Sequence, residues 1–371
     1  MNPKNISVIV QGAISKNETS KCLNSIRQYL PGAEIILSTW EGSEVTKLDY
    51  DVLVMSRDPG SFACEKTGKF PNNMNRQLLS TKEGLKYAHR EYIMKLRADL
   101  ILTSGKFLTH FTRYPARCDD YMLFKQKILT SMLVSRFDLN LKNKSLVPIP
   151  FHPSDWWFFG LNEDIKTYFD TELPKEPEFS SYFLQAENLD KKSPFRNCYF
   201  KFCPEQYFCY ACFSKHFPEI EMEDCSDITE DIVRQSRMIL VNNFIMLNFK
   251  DSGIFTNKYL YSKNELFAGE EYLNMYNKDR YEFEYKKYCE PNFVLSQDNI
   301  YSNGNSVSLR KKLLRLYKHI FGLMDTQVSF RKKLENLFIG IPVAAVYLLP
   351  EVLALLKKIK TNKANIFSKN L

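Results

Sequence analysis

Apolar runs and helical repeats alternate at short intervals from the N-terminus to about Leu100. Ile6 to Val10 is a continuous β-branched apolar run that stops at Gln11-Gly12, and Asn17 to Leu30 then carries apolar residues at helical spacing up to Pro31-Gly32. Glu34 to Thr39 predicts a second strand and Val52 to Met55 a third, which is followed by the turn Asp58-Pro59-Gly60. Asn75 to Ala88 reads as an amphipathic helix leading into a fourth strand, Tyr92 to Leu96. Strand and helix in repetition predict an α/β fold with a parallel sheet, and unbroken apolar strands are those covered on both faces. Ligands of such sheets sit beyond the carboxyl ends of the strands. Gln11, Gly12, Trp40, Glu41, Asp58, Arg97 and Asp99 fall at those ends.

After Leu100 the rhythm loosens. A helical stretch is expected near Gly105 to Tyr114, followed by a mixed region to Pro150. Phe151 to Gly160 then sets two Trp and three Phe beside His152 and Asp155. Such a segment suits two roles: a wall on which a sugar ring stacks, with Trp156 and Trp157 against the acceptor, or a buried aromatic strand capped by a polar turn. Ser296 to Ser308 is polar and linker-like, and beyond it come a short basic amphipathic stretch, Leu309 to Leu316, and a largely apolar one, Leu337 to Leu356. The expected organisation is a main domain over 1–300 and a basic, apolar helical tail over 301–371.

The net charge of +8 resembles that of a nucleic-acid binder until it is placed along the chain. From Leu309 to Leu371 there are 13 Lys/Arg against 3 Asp/Glu, whereas the preceding 308 residues carry 38 against 40. A basic excess confined to an apolar tail points to an anionic membrane surface and away from nucleic acid. Leu337 to Leu349 falls short of the roughly 20 apolar residues a spanning helix requires, so the tail is expected to lie on the membrane; a helical pair packed on the main domain is the alternative. The N-terminus lacks a secretory leader pattern, so the body is expected on the cytoplasmic face of the inner membrane as a peripheral protein. Nine cysteines, five of them between Cys198 and Cys225, are then expected as reduced thiols. Cys209 and Cys212 lie in an aromatic helical stretch, where small buried hydrophobes are expected rather than zinc ligands.

Several residues have the types that transfer chemistry uses. Lys95-Leu96-Arg97-Ala98-Asp99 ends a strand, where a carboxylate at Asp99 suits Mn²⁺ or Mg²⁺ and Arg97 suits phosphate oxygens; a plain ion pair is the other reading. Asn73 and Arg76 open a helix, where free N–H groups and the dipole attract anions, although asparagines there also serve as caps. Removal of a proton from an acceptor hydroxyl calls for a carboxylate or imidazole, and His152, Asp155 and Glu205 qualify by type without spacing choosing among them.

Taken in order, Ile6 to Gly12, Leu30 to Gly42, Asp58-Pro59-Gly60, Asn72 to Gln77, Lys95 to Thr103, Phe151 to Gly160 and Pro204-Glu205-Gln206-Tyr207 resemble the WavE lipopolysaccharide synthesis family. The resemblance covers about the first 215 residues. It implies a glycosyltransferase of surface-polysaccharide assembly built on a GT-A-like, Rossmann-type nucleotide-sugar-binding sheet with helices on both faces. The alternatives are a nucleotidyltransferase that makes an activated sugar, against which Gln11-Gly12-Ala13 offers a single glycine and no Gly-rich phosphate loop, and a non-catalytic membrane-bound assembly factor. Its partners would be a nucleotide-sugar donor and a glycan or lipid-linked glycan acceptor. The donor nucleotide is implied near Gln11, Gly12 and Trp40, and its diphosphate near Arg97 and Asp99. The usual Asp-x-Asp of that fold is replaced by Arg97-Ala98-Asp99.

Overall fold

The computed structural model describes residues 1–15, 17–62, 71–140, 146–195, 198–256 and 273–294. They belong to one unit, Met1–Val294. The linker expected at 296–308 and the tail stretches expected at 309–316 and 337–356 lie outside the described residues.

The chain runs β1 (Ile6–Gln11), α1 (Glu18–Tyr29), β2 (Glu34–Trp40), β3 (Val52–Ser56), α2 (Met74–Leu85), β4 (Tyr92–Arg97) and β5 (Ile101–Leu102). It continues through β6 (Ile128–Ser131), β7 (Arg136–Asn140), β8 (Leu146–Pro148), β9 (Trp157–Leu161), α3 (Asn162–Tyr168), α4 (Pro204–His216), α5 (Glu230–Asn243) and β10 (Phe244–Leu247). The last described elements are α6 (Phe249–Ser252), β11 (Ile254–Phe255), β12 (Leu273–Met275) and α7 (Lys278–Cys289). Seven strands form the central sheet in the order β10-β6-β9-β4-β1-β2-β3. All neighbours pair in parallel except β9, which runs against both β4 and β6. A side sheet, β12-β7-β8, carries the chain between β6 and β9.

Alternation along the strands divides the apolar side chains between two cores. Ile9, Ile93 and Phe158 face one core, filled by α2 to α5; Val8, Val10, Met94, Leu96, Trp157 and Phe159 face the other, closed by α1 and by Phe107 and Phe111. In α1 the buried positions Thr19, Cys22, Leu23 and Ile26 repeat at the spacing of one helical face. Gly84 lets α2 sit close on the sheet, since a Cβ there would lie 2.6 Å from Ile9 Cγ2 and 3.3 Å from Ser38 Cβ.

Two elements depart from the sequence pattern. The helix expected to Ala88 ends at Leu85. The stretch expected to be helical from Gly105 to Tyr114 is a short 3₁₀ turn, Lys106–His110, whose Phe107 meets Trp157 and Phe159 edge-on at centroid distances of 5.7 and 5.3 Å. Among the described residues no helix is long and apolar enough to cross a membrane.

Candidate active site

Because β9 is reversed, its first residue and the turn before it stand at the edge where β1 and β4 end. Leu96 pairs with Trp157, so Arg97 and Asp99 leave β4 beside Trp156 and Asp155. The turn is fastened from several sides. Phe151, at φ +53, donates its N–H to Ser236 Oγ at 2.7 Å, Arg136 N donates to His152 O at 3.0 Å, and Ser154 N donates to Ser135 Oγ at 2.8 Å. Thr130 Oγ1 donates to Ser154 O at 3.0 Å. Two side chains reach the carbonyl of Asp155: Gln77 Nε2 of α2 at 3.3 Å and Lys95 Nζ of β4 at 2.5 Å. One turn further along α2, Ser80 Oγ donates to Gln11 Oε1 at 2.8 Å, which ties the end of β1 to the same helix face.

Helix α4 supplies the other side. Pro204 occupies its first turn, where a missing N–H is harmless, and Glu205 follows in the same turn, where the helix dipole favours an anion. Gln206 Nε2 donates to Pro150 O at 3.0 Å and locks the helix start against the 151–156 turn. Glu205 Oε2 lies 3.8 Å from His152 Nε2, and Arg136 Nη1 donates to that ring nitrogen at 3.0 Å. The guanidinium of Arg136 also covers the Phe195 ring at 5.1 Å.

Electrostatics couple these groups. Burial, and then the negative charge of Asp155, push the Glu205 carboxyl up to about 7, against the pull of Arg136 and Arg97. Lys95 is fully buried; that burial brings its ammonium down to about 8, while Asp155, Asp99 and Glu205 favour its charge. His152 is held well below the ordinary imidazole value by burial and by Arg136, so it is neutral at pH 7 and accepts from that guanidinium. The arrangement is a pair of nearly buried carboxylates with three cations around it. A carboxyl poised near neutrality takes a proton from a hydroxyl more effectively than one at the ordinary value.

The structure thus brings His152, Asp155, Glu205, Arg97 and Asp99 to one edge, with Gln11 connected through Ser80. It adds Lys95 and Arg136. Other expected residues take different positions. Trp157 is fully enclosed against Phe107, which makes it a core residue and not an acceptor surface. Trp156, 5% exposed, lies under the Arg97 guanidinium at 5.6 Å. Arg76 is engaged by Asp58, with Nε and Nη2 donating to its two oxygens at 2.7 and 2.6 Å, and by Asn73 Oδ1 at 3.0 Å. The cap at the start of α2 comes from Asn72, whose Oδ1 accepts from Met74 N at 2.9 Å, and not from Asn73. Gly12, at φ +119, ends β1 beside β2, its N–H donating to Ser38 O at 3.1 Å. Trp40 closes β2 nearly buried, and Glu41 follows it exposed.

Among the described residues, each of two candidate cation positions already has a competing cation beside it. Both oxygens of Asp99 accept from Arg97, at 3.0 and 2.7 Å, so Mn²⁺ or Mg²⁺ there would have to displace a guanidinium. His152, Cys203 and Glu205 each place a ligand-type atom within 4.8 Å of the others, but Arg136 already brings positive charge to the imidazole. The Cys203 thiol is pushed well up by burial, and its Sγ lies 3.2 Å from Gln206 Oε1. Cys209 and Cys212 are buried on the apolar face of α4, as their setting predicted.

No curated protein matches the chain. Among solved structures, 4-diphosphocytidyl-2C-methyl-D-erythritol synthase from Anaerococcus prevotii is 12% identical, covering 62% of this chain and 95% of its own, with a TM-score of 0.30. The bifunctional IspDF of Campylobacter jejuni, also 12% identical, covers 47% of this chain and 45% of its own at a TM-score of 0.29. TarS of S. aureus is 12% identical over 84% of this chain and 47% of its own, again at 0.29. The chain therefore spans less than half the length of the last two. A family match extends over residues 6–315, well beyond the blocks that carry the resemblance in the sequence. On that match, the chain belongs to the WavE lipopolysaccharide synthesis family.

Proposed function

We propose that the protein is a glycosyltransferase that moves a sugar from a nucleotide-sugar donor to a growing lipopolysaccharide or other surface glycan. The observation that carries this reading is the Asp155–Glu205 carboxylate pair set beside Arg97, Arg136 and Lys95 where β1 and β4 end. The donor nucleotide would lie along Gln11, Gly12, Trp40 and Glu41, with its diphosphate toward Arg97 and Arg136. The acceptor hydroxyl would enter from the side of Glu205.

In the transfer, the acceptor oxygen forms a bond to the anomeric carbon while the bond from that carbon to the phosphate oxygen breaks. The electron pair leaves with the nucleotide, and the hydroxyl proton passes to the carboxylate pair. Guanidinium groups would offset the charge growing on the leaving phosphate, the task that Mn²⁺ or Mg²⁺ performs in sites with two acidic ligands. His152, neutral and with its Nε2 already accepting from Arg136, would not take the proton itself.

Replacing Glu205 by Gln keeps the shape and removes the base. Turnover should fall by about 10²-fold or more, with the melting temperature unchanged or raised. Unchanged turnover would remove Glu205 from the reaction. The basic tail would hold the enzyme at an anionic membrane surface, a role assigned from its charge and apolar content alone.

A further inference from the structure

Lys95 is the group at this site that the proposed transfer does not directly use. It stands in the middle of β4, opposite Phe158 in the register, among neighbours that are otherwise apolar: Ile93, Met94 and Leu96. A buried ammonium in a sheet interior is costly unless its surroundings compensate it. Those surroundings are specific. Its Nζ donates to the Asp155 carbonyl at 2.5 Å and lies 5.8 and 6.0 Å from the ring centroids of Phe158 and Phe169. The charges that act on it are Asp155 from the turn before β9, Glu205 from α4, and Arg97 and Asp99 from the end of its own strand.

A second buried lysine provides the contrast. Lys127 donates to the carbonyls of Ala116 and Val241 at 3.0 and 2.9 Å and covers the Tyr285 ring at 4.4 Å. No carboxylate is among the groups acting on it, which are Cys289, Cys118 and Arg117. Lys127 joins backbone segments. Lys95 holds the carbonyl of Asp155, and Asp155 and Glu205 are among the charges that act on it.

We propose that Lys95 is a positioning residue: its ammonium holds the Asp155 carbonyl, and with it the turn bearing His152 and Asp155, against Glu205, and supplies the fixed charge that lets two carboxylates share one buried site. This rests on the transferase reading for its purpose but not for its test. Removing a cation next to a carboxylate favours the protonated acid, so loss of Lys95 must move the Glu205 titration to higher pH. Loss of Lys127 must not.

The experiment is a carboxyl-carbon NMR titration of the full chain labelled at Glu and Asp side chains, with the Glu205 signal assigned by its absence in Glu205→Gln. Wild type, Lys95→Met and Lys127→Met are compared. In Lys95→Met the Glu205 midpoint should shift to higher pH, while Lys127→Met leaves it in place. An unmoved midpoint in a folded Lys95→Met sample, or an equal shift in both variants, overturns the proposal. Should Lys95→Met fail to fold, the wild-type Lys95 Cε signal decides: it should belong to an ammonium at pH 7 and respond as Glu205 titrates. A neutral amine at pH 7, or a signal blind to Glu205, overturns the proposal. None of these readouts requires transfer activity, so an inactive protein would refute the transferase reading and leave this one standing.

Discussion

Glu205 shows how one side chain can tie activity to stability. Its carboxyl is raised from 4.5 in the unfolded chain to about 7 in the folded one, so between those values the folded protein holds a proton that the unfolded chain has released. The protonated form favours the fold below that window, and this advantage is lost as pH rises through about 7. Glu205→Gln should therefore melt no lower than wild type at pH 8 while being nearly inactive, which thermal melts across pH would reveal. Turnover itself should rise with pH through the Glu205 titration at about 7 and fall again as Lys95 loses its proton at about 8. A rate profile flat across that range would contradict the roles given to both. His152, Asp155 and Glu205 were legible in the sequence because their types fit proton transfer. Arg136 was not, since a side sheet distant in sequence from Glu205 brings it to His152. Lys95 did carry a signal: a charge at the centre of an otherwise apolar strand, read there only as part of the Arg97–Asp99 motif.

At the scale of elements, the first four strands and two helices follow the sequence closely, because period-2 and period-3.6 patterns are local properties. The direction of β9 is not local. Nothing in Trp157 to Leu161 reveals whether the strand runs with the sheet or against it, yet that direction brings the Asp155 turn to the edge where β1 and β4 end. Of the two readings of the aromatic segment, the buried strand with a polar turn describes what is seen; the turn holds the candidate residues His152 and Asp155, and Trp157 carries the packing. The fit of α2 matters equally, since Gln77 and Ser80 on one of its faces hold both Asp155 and Gln11. Gly84→Ala should force that helix off Ile9 and Ser38. Overpacking of this kind costs about 1–3 kcal/mol. Denaturant unfolding should show this loss together with weakened ligand binding; a variant as stable as wild type would mean that α2 yields without strain.

For the whole molecule, charge and chemistry separate along the chain. The site lies in Met1–Val294, and the basic excess lies from Leu309 onward. Deleting residues 309–371 should leave the melting transition in place and abolish sedimentation with anionic vesicles, and salt should weaken the binding of the full chain. Aggregation of the shortened protein would instead favour packing of the tail on the main domain. The central claim, that the Asp155–Glu205 edge receives a nucleotide-sugar donor, is tested most directly by thermal shift of the full chain with UDP-, GDP-, dTDP-, CMP- and ADP-linked sugars, with and without Mn²⁺. Binding to the folded state alone at about 100 times the dissociation constant contributes about 2.7 kcal/mol. The prediction is that one nucleotide class raises the melting temperature, does so without Mn²⁺, and fails to do so in Arg136→Gln. A shift that appears only with Mn²⁺ would overturn the task given to the guanidinium groups, and no shift from any donor would contradict the claim itself.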